Sequence, residues 1–184
     1  MTEATRIAGE PSDAALIARW RAGEQRAASL LVRRYAATVT RFVASLGERE
    51  EIEEIVQDTF VRAFESLGGF RGESSLRTWL LTIARNLVVD RTRSRRGSRT
   101  FVTIEEPHGV TEHNALDGAV AVETEARLRE AVSRLPPMQR HVFTLRVADG
   151  LSYSEVAAVL GTTEGAARVH YHHAVRAIKE ILDA

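Results

Sequence analysis

The sequence predicts an all-helical protein built as two small helical domains joined by a flexible linker, and three observations carry that prediction. Apolar residues recur at helical spacing through almost every segment, no run alternates with the two-residue period of a strand, and one middle stretch loses its periodicity altogether. At 184 residues, 44% hydrophobic and 27% charged, the chain is long enough for two modest cores. Having no cysteine, it can form no disulfide scaffold, thiolate nucleophile or Cys-ligated zinc site. No stretch reaches the roughly 18 to 20 apolar residues of a membrane span, and Met1 to Glu10 lacks a basic-then-apolar signal pattern, so a cytoplasmic location without membrane insertion is expected.

The elements follow in order. Ser12 to Ala22 reads as a short helix and Gln25 to Leu46 as a long one, with Leu31, Tyr35, Val39, Phe42 and Leu46 along one face and Gly23 and Gly47 as punctuation. A third runs from about Glu50 to Leu67, with Ile52, Val56, Phe60, Ala63 and Leu67 inward, and stops at Gly68-Gly69. A loop, Phe70 to Ser74, leads to Ser75 as N-cap of a fourth helix to about Arg96. Its core face is Leu76, Leu80, Ile83 and Leu87; Thr78, Thr82, Arg85, Arg93 and Arg96 form the opposite stripe. These segments make a first domain over 10–96.

From Gly97 to Val122 the periodicity vanishes, Pro107, Gly109 and Gly118 interrupt, and the charge turns acidic, which reads as a linker. Fully extended it would reach about 85 Å, enough to set the flanking domains on separate sites of one large partner. The second domain, 123–184, divides into helices Thr124 to Leu135, Met138 to Ala148, Ser152 to Leu160 and Thr163 to Leu182, with Pro136-Pro137 and Gly150 between.

A formal net charge of +0 conceals strong segregation. Residues 47–58, GEREEIEEIVQD, carry six acids against one Arg, whereas Arg85 to Arg99 holds six Arg against Asp90 alone. Two such surfaces suit two partners, one of them a polyanion such as nucleic acid; two solvated helix faces are the plainer alternative.

SYSEVAAVLGTTEGAARVHYHHAV, residues 152–175, has the layout of a helix-turn-helix. Ser152 and Glu155 form a capping box, Gly161 closes the first helix, and Thr163 caps the second after a short connection. Ala157, Leu160, Ala167, Tyr171 and Ala174 pack the pair together and leave Arg168, His172, Arg176 and Lys179 for phosphates and base edges in a major groove. A hairpin used only for packing is the alternative. His170, His172 and His173 lack a carboxylate at a persuasive spacing, so no metal is expected; imidazoles near DNA predict affinity rising as pH falls from about 8 to 6.

Taken together, LLVRRYAATVTRFV at 30–43, EIEEIVQDTFVRAFESLGGFRGESSLRTWLLTIARNLVVDRTRSRR at 51–96, LPPMQR at 135–140 and LRVADGLSYSEVAAVLGTTEGAARVHYHHA at 145–174 resemble the bacterial sigma-70 family, in its extracytoplasmic-function (ECF, group 4) branch. The resemblance covers nearly all of the chain except the linker. It implies a sigma region 2 domain of four helices at 10–96 and a sigma region 4 helix-turn-helix domain at 123–184.

The resemblance further implies an initiation factor that binds RNA polymerase core, at the clamp helices of the largest subunit and the upstream-binding flap. It assigns core binding to Glu53, Glu54, Val56, Gln57, Asp58 and Phe60, where carboxylates suit Arg on a partner helix and apolar neighbours supply buried area. Minus-ten recognition and strand opening fall to Arg71, Ser74, Ser75, Arg77, Arg85, Asn86, Asp90, Arg91 and Arg93, groups that hydrogen-bond extruded bases, track phosphates or orient those that do. Trp79 is either a base-stacking surface or a core residue. Minus-thirty-five recognition of duplex promoter DNA falls to Thr162, Thr163, Glu164, Gly165, Arg168, His172 and Arg176.

Recognition helices of this family usually carry Lys or Arg where this chain has Val169, His170 and His173, which predicts weak binding by the second domain alone. An anti-sigma partner is expected by the same resemblance, and no cofactor. The competing class is a stand-alone helix-turn-helix regulator that binds duplex DNA as a dimer. An enzyme using Glu53, Glu54 or Asp58 is disfavoured, because no phosphate loop, paired nucleophile and base, or complete metal set accompanies them.

Overall fold

The computed structural model describes residues 11–48, 51–98 and 119–183, without the side chains of 96–98 and 119–124. Among these residues there are eight α-helices, one 3-10 turn and no strand. They divide into an N-terminal and a C-terminal unit.

The N-terminal unit holds α1 (Asp13–Arg21), α2 (Gln25–Ser45), α3 (Ile52–Ser66), a 3-10 turn (Leu67–Gly69) and α4 (Leu76–Ser98). Ser12 caps α1 by accepting from the Ala15 amide at 3.2 Å, and Gly23 at φ +88° turns the chain into α2. The long helix α2 is the centre of the unit and packs against α1, α3 and α4. Its apolar residues follow the predicted face at Leu31, Val39 and Phe42, while Tyr35 and Leu46 are only half-buried. Phe42 is 1% exposed, and burying such a ring contributes about 1.5–3 kcal/mol. Arg34 holds α1 to α2 through Asp13 at 2.5 Å and the Pro11 carbonyl at 2.7 Å, and the Tyr35 hydroxyl donates to the same carboxylate. Burial first, and this hydrogen bond second, push the Tyr35 phenol above its ordinary range.

Two faces differ from the sequence expectation. On α3 the buried residues are Ile55, Thr59, Phe60 and Ala63, and Ile52 and Val56 are half-buried. Apolar residues occupy two adjoining stripes of this helix, and simultaneous packing on α2 and α4 selects the stripe of Ile55. On α4 the core takes Leu81, Ala84 and Val88 beside Leu76, Leu80 and Leu87, leaving Ile83 half-buried. Thr78, expected on the outer stripe, is 1% exposed because its hydroxyl meets the Ser75 hydroxyl at 2.8 Å and no longer needs water. Trp79 is half-buried, its ring 5.0 Å from that of Phe70.

The C-terminal unit holds α5 (Ala119–Ser133), α6 (Pro137–Val147), α7 (Tyr153–Leu160) and α8 (Glu164–Leu182). Helix α8 packs on α5 and α6. Ala131, Leu135, Ala174 and Ile178 form one buried cluster, with Leu128, Phe143 and Ile181 against it. Arg127 donates to the Leu182 carbonyl at 2.9 Å, satisfying one of the acceptors that end α8.

Residues 97–98 and 119–122, at the two ends of the segment expected as linker, are helical. Helix α4 continues through Gly97 to Ser98 and α5 begins at Ala119, since a lone glycine is tolerated in a helix and the Ala-Val run after Gly118 is free of breakers. Residues 99–118, and 1–10 at the N-terminus, lie outside the described residues.

Candidate functional site

Helix α3 carries the acidic face. Glu53 and Gln57 are exposed, Val56 is half-buried and Phe60 is 7% exposed. With Val32, Thr40, Val61 and Phe64 they line an open, largely apolar groove of about 430 Å³. Val61, 48% exposed, extends the apolar surface to solvent. The groove therefore offers buried area beside a carboxylate and a side-chain amide, the mixture that a protein interface uses.

Glu54 and Asp58 do something the sequence did not announce. Arg91 of α4 donates to Glu51 at 2.6 Å, Glu54 at 2.9 Å and Asp58 at 2.7 Å, and Arg95 pairs with Glu48 at 3.0 Å and Glu51 at 2.7 Å. Acidic α3 and basic α4 are thus fastened together by their opposite charges. The Arg91 and Arg95 guanidinium groups, in that order, hold the Glu51 carboxyl below the usual carboxylate range. Hydrogen bonds to Glu54 and Glu51 raise Arg91 further. Glu48, only 6% exposed, is a buried carboxylate made tolerable by Arg95.

This network separates Arg91 from the other arginines assigned to nucleic acid. Arg93 is exposed and Arg85 half-buried, its Nη1 donating to the Asn86 carbonyl oxygen at 3.2 Å. Asp90 is exposed and, among the described residues, bonds no arginine. Arg77 is half-buried.

The loop between α3 and α4 is fixed at both ends. At its far end Ser75 caps α4, accepting from the Thr78 amide at 3.1 Å. Between the ends Arg71, Gly72 and Glu73 are exposed, Ser74 is half-buried, and Gly72 takes φ +73°. At the near end the Phe70 ring lies against Trp79 and the Arg21 guanidinium donates to backbone carbonyls; no sequence signal marked Arg21.

In the C-terminal unit the helix-turn-helix is built as its sequence implies. Ser152 accepts from the Glu155 amide at 3.2 Å while the Glu155 carboxylate accepts from the Ser152 amide at 2.9 Å. Gly161 ends α7 at φ +65°, and Thr163 accepts from the Ala166 amide at 3.1 Å to begin α8. Ala157, Leu160, Ala167 and Ala174 are buried, with Tyr171 half-buried beside them. Thr162 is half-buried, and Thr163, Glu164, Gly165, Arg168, His172, His173 and Arg176 are exposed. A Cβ on Gly165 would meet nothing within 4 Å, so packing inside the chain does not demand glycine there. His170 is half-buried, apart from the exposed stripe.

Arg168 is held in place by Glu164 at 2.5 Å and by the Tyr153 ring, 4.5 Å from its guanidinium carbon. Arg146 lies 4.3 Å from the centre of the same ring. Sequence reading missed Tyr153, because its partners lie seven residues before it and fifteen after it and meet only once the helices pack. Arg176 pairs with Glu180 at 2.9 Å.

Comparisons with known proteins agree with this arrangement. The family model Sigma-70 region 2 matches residues 31–98, and Sigma-70, region 4 matches residues 125–178. ECF RNA polymerase sigma factor BldN of Streptomyces coelicolor is 36% identical over 171 residues, covering 91% of this chain and 64% of that protein. ECF RNA polymerase sigma-E factor of Salmonella typhimurium is 33% identical over 176 residues, covering 91% of this chain and 92% of that protein. The solved structure of the sigma factor RpoE in complex with the anti-sigma factor NepR, from Bartonella quintana, superposes with a TM-score of 0.66 at 25% identity, over 85% of this chain and 96% of that one. With the region 2 and region 4 matches falling on the two helical units in order, the chain belongs to the sigma-70 family, among the ECF RNA polymerase sigma factors.

Proposed function

We propose that this chain binds RNA polymerase core in the cytoplasm and directs it to a subset of promoters, as a recognition factor and not a catalyst. The observation that carries the reading is the α3 face, where an apolar groove adjoins exposed Glu53 and Gln57. That face docks on the clamp helices of the largest subunit, and the C-terminal unit engages the flap. The loop from Arg71 to Ser75 takes up unpaired minus-ten bases, and Arg77, Arg85 and Arg93 follow the phosphates. Helix α8 reads minus-thirty-five duplex through Arg168, His172 and Arg176, with Gly165 allowing close approach of the backbone. Neither reading need be tight, because attachment to one polymerase makes them act together.

Control by an anti-sigma factor is part of the proposal, supported by the RpoE relative having been solved bound to one. Glu54 and Asp58 serve the docking face less directly than expected, since Arg91 already engages them.

Run-off transcription from genomic fragments with purified core polymerase tests the reading. Specific transcripts that disappear with Glu53→Arg and Gln57→Arg establish both the activity and the docking face. Tight symmetric duplex binding without polymerase, and no transcripts, identifies a stand-alone regulator instead.

A further inference from the structure

A helix leaves its last carbonyl oxygens without intrahelical partners, and the chain that follows is only as well placed as whatever satisfies them. After α3 and its 3-10 turn, that partner is Arg21, from the last turn of α1. Its Nη2 donates to the carbonyls of Leu67 at 3.0 Å, Gly68 at 3.4 Å and Phe70 at 2.9 Å. One nitrogen with two hydrogens serves three acceptors, so a hydrogen is shared, as is common at helix ends. A cation at a helix C-terminus is also favoured by the helix dipole.

The third acceptor is the informative one. Phe70 opens the loop that leads to α4, and its ring is already against Trp79, with centroids 5.0 Å apart. Arg21 fixes its carbonyl as well, so both the side chain and the backbone of the loop's first residue are held. The other end is held by the Ser75 cap. Arg71 to Ser74 therefore span between two anchored points, with Arg71, Gly72 and Glu73 exposed. The anchor comes from α1, which precedes the residues 31–98 matched as region 2.

We infer that Arg21 is a positioning residue for minus-ten base selection, setting from α1 the geometry in which the Arg71–Ser74 segment meets an unpaired base. This rests on the reading of that loop given under Proposed function. Arg21 touches no nucleic acid itself; it acts through the Phe70 carbonyl. Misplacing a capture group by about an ångström lowers its effectiveness on the order of 10- to 100-fold, whereas loss of one part-buried and two exposed hydrogen bonds has a modest effect on folding.

The test uses holoenzyme assembled from core polymerase and the full chain. The probe is a promoter fragment that wild-type holoenzyme transcribes, made as a fork whose minus-ten non-template strand is already single-stranded. A second fork carries one substituted base in that segment. Arg21→Ala is expected to weaken binding to the first fork about tenfold and to narrow the ratio of affinities between the forks. Arg21→Lys, keeping the charge but not the planar donors, falls between. Arg19→Ala, removing the neighbouring arginine that pairs with Glu24, is expected to match wild type. Core affinity stays unchanged throughout.

Wild-type binding by Arg21→Ala overturns the inference, and so does a loss equal on both forks, which is what a merely structural role produces. Should Arg21→Ala lower the unfolding midpoint, Arg21→Lys decides by the same ratio. Arg71→Ala and Ser74→Ala run beside them. If those lose base selection and Arg21→Ala does not, the inference alone fails. If they keep it, the loop is not the reader and the inference falls with that reading.

Discussion

Replacing Arg91 by alanine separates two roles that the amino-acid sequence could not tell apart. As a phosphate contact, Arg91 would strengthen promoter binding; as the clasp between α3 and α4, it strengthens the fold. The guanidinium is 20% exposed, but Glu54 and Asp58 keep 63% and 43% of their side-chain surface, so solvent screens both pairs. At about 0.2–1 kcal/mol for each, these two contribute about 1 kcal/mol, and removing the cation also leaves neighbouring carboxylates facing one another. Arg91→Ala also breaks the 2.6 Å pair with Glu51, so with a urea slope of about 1–2 kcal/mol/M for a unit of this size the midpoint falls by at least about 0.5–1 M. Trp20 and Trp79, the chain's two tryptophans, both lie in the N-terminal unit, so their fluorescence reports its unfolding without interference from the other unit. The difference between Arg91→Ala and wild type is expected to shrink at about 0.5 M salt, where exposed pairs are largely screened. In the holoenzyme, the dependence of promoter affinity on salt stays as in wild type, because no phosphate contact is lost. An unchanged urea midpoint at low salt, together with a salt slope reduced by about 0.9, would refute the clasp and return Arg91 to the nucleic-acid surface.

Arg93→Ala, by contrast, removes an exposed arginine without a described ion pair, and the slope of log affinity against log salt is expected to flatten by about 0.9 in holoenzyme binding. Leu145 is fully buried, so Leu145→Ala is expected to destabilise the C-terminal unit by about 2–5 kcal/mol, seen by circular dichroism with the tryptophan transition unmoved. Ser152→Ala removes the capping box and costs about 1 kcal/mol in the same unit; Ser154→Ala, two residues on in the first turn with no cap to lose, is the control. Because the Glu51 carboxyl is held below its ordinary 4.5, its contribution is present above about pH 4.5 and is lost as pH falls through the lower folded value. Glu51→Gln is accordingly expected to flatten the drop in urea midpoint on acidification from about pH 5 to 3, and an unaltered drop counts against the pairing.

Whatever depends on neighbours within one turn of chain was legible in the sequence. Ser75, Ser152 and Thr163 were readable as caps, and each accepts an amide three residues on, because the capping geometry lies within a single turn. Gly161 likewise marked the end of α7, since the left-handed conformation there is open to glycine at little cost. The acidic and basic blocks were equally plain, and with them the family resemblance and the order of the two units.

What the tertiary structure alone decided are the pairings between distant positions. Periodicity placed Ile52 and Val56 on the inward face of α3, and packing on α2 and α4 chose Ile55 and Thr59 for the interior instead, leaving Val56 in an open groove. Charge patterning presented α3 and α4 as surfaces for two different partners. The fold brings Arg91 within 2.9 Å of carboxylates 33 to 40 positions earlier, so that part of each surface satisfies the other. Arg21 meets carbonyls 46 to 49 positions later, where nothing in its local sequence distinguishes it from any arginine in a last helical turn. A long side chain carries no local mark of its partner, because its reach of several ångströms acquires a direction only when two helices have already packed.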